Sequence, residues 1–154
     1  MCRWLAYSGA PILLEDILFK PVNSLIDQSM SSKSAETPTN GDGFGGGWYD
    51  SRPAPGLFRS IRPAWNDFNL RDLAAHLESP LLLAHVRATS HATVQETNCH
   101  PFRYQHWLFV HNGEIFGIEK FRKRLVERIT DELFPFILGT TDSEVMFYLA
   151  LSMG

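Results

Sequence analysis

Met1-Cys-Arg-Trp-Leu-Ala-Tyr-Ser-Gly9 opens the chain, and its second residue sets how everything after it is read. Removal of Met1 would leave the Cys2 thiol and a free α-amine on one residue, so that nucleophile and general base come from a single amino acid. An α-amine titrates near about 7.7–8.0 and a free thiol near about 8.5, close enough for the amine to take the thiol proton at neutral pH. Standing alone, such a cysteine is more often a small apolar residue near a chain end. Downstream, the segments NGDGFG (40–45), HVRATSH (85–91), VHNGE (110–114) and TTDSE (140–144) hold what the thiol would need to act as a catalyst.

A thiolate attacking a carboxamide needs donors aimed at the developing oxyanion, each worth roughly 2.7–4 kcal/mol. Asn112 carries a side-chain NH₂, and Gly113 has a backbone N–H with no Cβ in the way. Asn-Gly between Trp107–Val110 and Ile115-Phe116 is also the signature of a type I′ hairpin. Recognition of an amino acid calls for an Arg on its carboxylate and an acid on its ammonium. Arg87 closes the apolar run Leu81–Val86, which reads as a buried strand, and its guanidinium can grip a carboxylate bidentately. Asp142 lies in Thr141-Asp-Ser-Glu144, a capping box opening a helix over Val145–Leu151, in which Thr141 and Glu144 cap and Asp142 stays free.

Elsewhere, Arg3–Tyr7 reads as a first strand, Leu14–Phe19 as a short helix halted by Pro21, and Asp27–Asn40 as a polar Ser/Thr-rich loop suited to a lid. Strands are expected at Gly46–Tyr49, Leu57–Ile61, Leu81–Arg87 and Trp107–His111, and helices at Leu70–Leu77, Ile118–Ile129 and Ser143–Leu151. Strand and helix alternate without a βαβ rhythm, a pattern open to several α+β layouts.

In their order along the chain, Cys2-Arg3, Asn40–Gly45, His85–Ala88, Asn98–Phe102, His111–Gly113 and Thr141–Glu144 resemble the glutaminase domain of class II glutamine amidotransferases, a branch of the N-terminal nucleophile hydrolases. The resemblance implies one domain over 1–154 with the four-layer αββα sandwich of that branch. It implies Cys2 as nucleophile, Asn112 and Gly113 as oxyanion hole, and Arg87 and Asp142 on the α-carboxylate and α-ammonium of a γ-glutamyl group. Ser90, His100 and Thr141 join the substrate site, and Asn40, Gly41, Asp42 and Gly43 form a supporting loop near Cys2. Within the family, PAWND (63–67), ETNCHPF (96–102) and TTDSE look most like γ-glutamyl hydrolases acting on glutathione-type and ergothioneine-pathway compounds. Members that make amino sugars or purines carry Trp after the carboxylate-binding Arg, where Ala88 stands here. Members also run past Leu151-Ser-Met-Gly154, so a C-terminally truncated form of the sandwich is expected.

Composition fits an enzyme domain with a core: 154 residues, 44% hydrophobic, 20% charged, net charge −3. No basic excess points to nucleic acid. No stretch approaches the roughly 20 apolar residues of a membrane helix. Two cysteines make no disulfide framework and suit a reducing, cytoplasmic setting. Pro11, Glu15 and Asp16 argue against a signal peptide over Trp4–Leu14. Gly41-Asp-Gly-Phe-Gly-Gly46 satisfies G-x-G-x-x-G but has no strand before it and no helix after it, so a dinucleotide is not expected. Histidine spacing likewise gives no metal site.

Three functions remain for such a chain. One is a cofactor-free hydrolase cleaving a small-molecule γ-glutamyl compound through a thioester. Another is a glutaminase supplying ammonia to a synthase in trans, and the third is a non-catalytic subunit bound to a protein partner.

Overall fold

A computed structural model describes residues 2–30, 39–89 and 93–154. Met1, most of the Ser/Thr-rich loop, Ser90 and His91 lie outside the described residues. The architecture is α+β. Strands β1 (Arg3–Leu13), β2 (Phe44–Tyr49), β3 (Gly56–Ser60) and β4 (Glu78–Val86) form an antiparallel sheet in the order β1-β4-β2-β3. A separate antiparallel ribbon joins β5 (Phe102–Tyr104) to β6 (Trp107–Phe109).

Alternation along the strands gives the sheet two different faces. On one, Leu5 lies opposite Ala84, Tyr7 opposite Leu82 and Phe44 opposite Val86. This face packs on Leu14 and Leu18 of α1 (Leu14–Leu18), Leu25 and Ile26 of α2 (Leu25–Met30), and Leu70 and Ala74 of α3 (Phe68–His76). Each fully buried Leu or Ile there stabilises the fold by roughly 1.5–3 kcal/mol. Asp67 ties α3 to β3: one carboxylate oxygen accepts from Leu70 N at 3.0 Å, the other from Ser60 Oγ at 3.0 Å.

The other face is shaped by glycine. Gly45 sits opposite His85, and a Cβ on it would stand 2.1 Å from the His100 carbonyl oxygen. A Cβ on Gly47 would stand 2.7 Å from Leu108 Cδ1. Only hydrogens at these two positions let the ribbon lie this close to the sheet. Away from the sheet, Phe102 and Phe109 pack on Val145, Phe147 and Tyr148 of the C-terminal helix (Asp142–Met153), with Ile129 and Leu133 beside them. Phe109 and Phe147 stack at 5.2 Å and 13°.

Several expectations are corrected. The loop expected from Asp27 begins later, because Ser24 and Asp27 cap α2 reciprocally: Ser24 N donates to Asp27 Oδ2 at 3.2 Å, and Asp27 N to Ser24 Oγ at 3.1 Å. Asn112-Gly113 is not a hairpin turn. A type I′ turn needs positive φ at both residues and neither has it, whereas Gln105 (φ 49) lies between β5 and β6. The helix expected over Ile118–Ile129 is broken into a 3-10 turn, Ile118–Lys120, and a short α4 (Arg122–Val126) that buries none of its residues. Phe121, at φ −133 and ψ 2, breaks the helical path between the two, while Leu125, Val126 and Ile129 still pack on the cluster around Phe102 and Tyr148. The C-terminal helix, α5 (Asp142–Met153), is present, but its capping box is half formed. Thr141 Oγ1 accepts from Glu144 N at 3.2 Å, while the Glu144 carboxylate accepts from Leu138 N and Gly139 N instead.

Candidate active site

Strand register assembles the site. β1 pairs Arg3 with Val86, and β2 pairs Phe44 with the same Val86. One residue further on, these registers set Cys2 and Gly43 on either side of Arg87. On the Gly43 side, Arg87 N donates to Gly43 O at 2.8 Å and Asp42 N donates to Arg87 O at 3.1 Å. On the Cys2 side, the thiol donates to Ala88 O at 3.2 Å and its sulfur accepts from Ala88 N at 3.3 Å. The Cys2 carbonyl oxygen accepts from Asn112 Nδ2 at 2.8 Å and from Arg3 Nη1 at 3.1 Å. Asn112 therefore touches the residue that bears the thiol, with a second amide hydrogen left over.

Cys2, Arg87, His100, Gly113, Thr141 and Asp142 all line one cavity of about 310 Å³. Arg87 is buried, with Nη1 3.5 Å from Asp42 O. Asp142 begins α5, and its two oxygens accept from Ile115 N at 2.7 Å and Ser143 N at 2.8 Å. A carboxylate has about four lone-pair sites, so capacity remains for an ammonium. Ser90 lies outside the described residues.

The 40–43 loop braces this wall from behind. Asn40 is fully buried, and its N–H donates to Ser29 O at 2.8 Å. Gly41 packs against Trp65, whose ring a Cβ would meet at 3.1 Å. Asp42 Oδ2 accepts from Thr89 N at 2.8 Å, so the loop reaches Arg87 and Thr89, which flank the Ala88 peptide in contact with Cys2. Gly43 has φ +111 and lies over Cys99, where a Cβ would stand 2.6 Å from Sγ, so this position needs glycine on both counts. After the glycines the chain enters β2 and not a helix, so no helix N-terminus awaits a pyrophosphate.

Burial quiets one thiol and two histidines. Burial pushes the Cys99 thiol up to about 11, which leaves it protonated and unreactive. The rings of His85 and His100 meet at 4.4 Å, tilted by 36°, and no ring nitrogen of either has a hydrogen-bond partner among the described residues. Burial, then the charge of Arg87, lowers the His85 pKa to about 3. Burial, then His85 and His111, lowers that of His100 to about 2. Both rings are neutral near pH 7, and His100 presents a neutral imidazole to the cavity. His111 instead shares a 3.0 Å hydrogen bond with Ser143 Oγ. Among the described residues no three His, Cys, Asp or Glu side chains group as metal ligands, and no helix is long and apolar enough to cross a membrane.

Sequence reasoning missed the Ala88 peptide as the partner of the thiol, and also Ile118, Arg122 and Ser143 on the cavity wall. Register could have pointed to the first. Nothing in Lys120–Arg124 marks which of its basic residues faces inward.

Residues 16–153 match the family described as glutamine amidotransferases class-II. A probable glutamine amidotransferase of Saccharomyces cerevisiae, DUG3, is 44% identical over 98% of this chain and 45% of its own length. A gamma-glutamyl-hercynylcysteine sulfoxide hydrolase of Mycolicibacterium smegmatis is 32% identical over the whole chain and 64% of its own length. The solved structure of a glutamine aminotransferase class-II domain protein from Silicibacter pomeroyi superposes with a TM-score of 0.74 at 42% identity, covering all of this chain and 56% of that one. The chain thus spans about half the length of the relatives it matches.

Proposed function

Because this chain belongs to the class II glutamine amidotransferase family, we propose that it hydrolyses a γ-glutamyl amide bond through Cys2, with a glutathione-type γ-glutamyl compound as substrate. One observation carries this reading: a partly exposed thiol, a buried guanidinium and a carboxylate open onto the same cavity.

With Met1 removed, the α-amine takes the thiol proton and Cys2 Sγ attacks the γ-carbonyl carbon. The C–S bond forms and negative charge moves to oxygen, where Gly113 N–H and the second Asn112 amide hydrogen receive it. Collapse breaks the C–N bond, and the departing amine takes the proton held by the α-ammonium. Water, deprotonated by the same amine, then attacks the thioester and releases glutamate with the thiol restored. Arg87 and Asp142 hold the glutamyl carboxylate and ammonium throughout, with His100 and Thr141 around them. The Asn40–Gly43 loop keeps Arg87–Thr89 in place. None of these steps calls for a cofactor.

The fold reading that goes with this function is the four-layer sandwich, with the β5–β6 ribbon as part of its second sheet. Close stacking at Gly45 and Gly47, with helices outside both layers, supports it. Two free thiols suit the reducing cytoplasm.

The test is the intact mass of purified protein before and after brief exposure to a diazo-ketone analogue of glutamine. Loss of Met1 and one adduct on Cys2 are expected; a Met1-free, folded protein that stays unlabelled would refute γ-glutamyl recognition at this thiol. A second expectation concerns Arg87→Lys, which keeps the charge but loses the planar fork. KM should rise about 10- to 100-fold, the loss of one charge-assisted hydrogen bond, with a smaller change in kcat. Steady-state kinetics read this directly, and an unchanged KM would remove Arg87 from the substrate site.

A further inference from the structure

A γ-glutamyl unit carries one carboxylate and one ammonium, and Arg87 and Asp142 match them one for one. The cavity holds a second guanidinium. Arg122 begins α4, following Gly117 (φ +69) and the 3-10 turn, and is half-buried on the cavity wall. Its Nη1 donates to Thr141 O at 3.2 Å, beside Asp142, using one of five N–H groups. Among the described residues it forms no ion pair. Burial raises the pKa of Glu144, which the charge of Arg122 offsets only in small part, and both Glu144 oxygens already accept backbone N–H groups, from Leu138 and Gly139. Glu114 lines the cavity too, and being exposed it is screened by water. Asp142 lines the cavity as well but forms no ion pair with Arg122, so this half-buried guanidinium has given up hydration for a single carbonyl contact.

We propose that Arg122 binds a second carboxylate, carried by the leaving amine, so that the site selects γ-glutamyl amino acids and peptides over γ-glutamyl amides that lack one. This rests on γ-glutamyl hydrolysis at Cys2 and names the substrate class of that same site. Arg suits the role because its fork pairs bidentately with a carboxylate while Thr141 O holds one arm.

Two matched pairs test it: γ-glutamylglycine and glutathione, each against its C-terminal amide, which differs only in the second carboxylate. In the processed wild type, kcat/KM is expected to be about 10- to 100-fold higher for the acid than for the amide in at least one pair, mostly through KM. Arg122→Gln should bring that ratio close to one. Equal handling of acid and amide by the wild type, or a ratio that Arg122→Gln leaves intact, would overturn the proposal. Failure of the wild type to cleave all four compounds would instead overturn the γ-glutamyl reading on which it stands. Folding of the variant is read from Cys2 labelling by the diazo-ketone. Should the Gln variant not fold, Arg122→Met keeps the aliphatic stem against the wall and is judged on the same ratio.

Discussion

Cys2→Ala is expected to abolish turnover of every γ-glutamyl substrate, by about 10⁴-fold or more, while leaving the thermal unfolding midpoint nearly unchanged. The size of the kinetic loss follows from removing the nucleophile of a covalent mechanism, for which the remaining donors cannot substitute. Small structural cost follows from the surroundings of the thiol. Its sulfur touches the Ala88 peptide through two hydrogen bonds, 3.2 and 3.3 Å, that are weak because a thiol is a weak donor and acceptor, and the side chain is only partly buried. The bonds that place residue 2, from Asn112 and Arg3 to its carbonyl oxygen, are to the backbone and survive the substitution. Substrate binding should persist as well, since Arg87 and Asp142 are untouched. Turnover retained by a Met1-free Cys2→Ala protein would sink the nucleophile assignment, and a collapsed midpoint would show the thiol to be structural.

Gly45→Ala should be the most damaging single methyl in the molecule. The new carbon would stand 2.1 Å from His100 O, 3.1 Å from His100 C and 3.0 Å from Arg59 Cγ. The Arg59 stem can swing aside, but the His100 backbone cannot, so the ribbon must lift from the sheet. Overpacking against an immobile neighbour costs about 3 kcal/mol or more. For a chain of this size that lowers Tm by roughly 6–12 °C. His100 would move with its backbone, so activity should fall too. The neighbouring residue is the control: a Cβ on Gly46 meets nothing nearer than Leu83 O at 4.0 Å. Gly46→Ala should shift Tm by no more than about 4 °C, and equal losses from both variants would disprove the close-approach explanation.

Much of the secondary structure was legible because it is local. β1 was expected over Arg3–Tyr7 and runs on to Leu13, α1 matches within one residue, and α5 follows its Thr141 cap. Errors fell where short-range signals compete. Asn112-Gly113 carries the residues of a hairpin turn, but its backbone lacks the positive φ values such a turn needs, and Asn112 bonds to Cys2 O, 110 positions away. The Ser/Thr content around Asp27 suggested a loop, yet Leu25 and Ile26 gain more by burial against the sheet than the polar residues lose.

By itself the sequence determined the chemical inventory: a thiol at position 2, an Arg closing an apolar strand, an Asp opening a helix, and glycines where no side chain fits. It also determined the family, because those residues come in a recognisable order. Tertiary structure alone decided which of them meet. Cys2 lies beside the Arg87–Ala88 segment only because β1 and β4 pair in one register across more than eighty positions of chain. Arg122 lines the cavity, whereas Lys123 and Arg124 next to it are exposed. The neutrality of His85 and His100 likewise comes from burial between sheet and ribbon. Propensity and capping act over a few residues, whereas register, desolvation and cavity shape belong to contacts between distant segments, which no local pattern encodes.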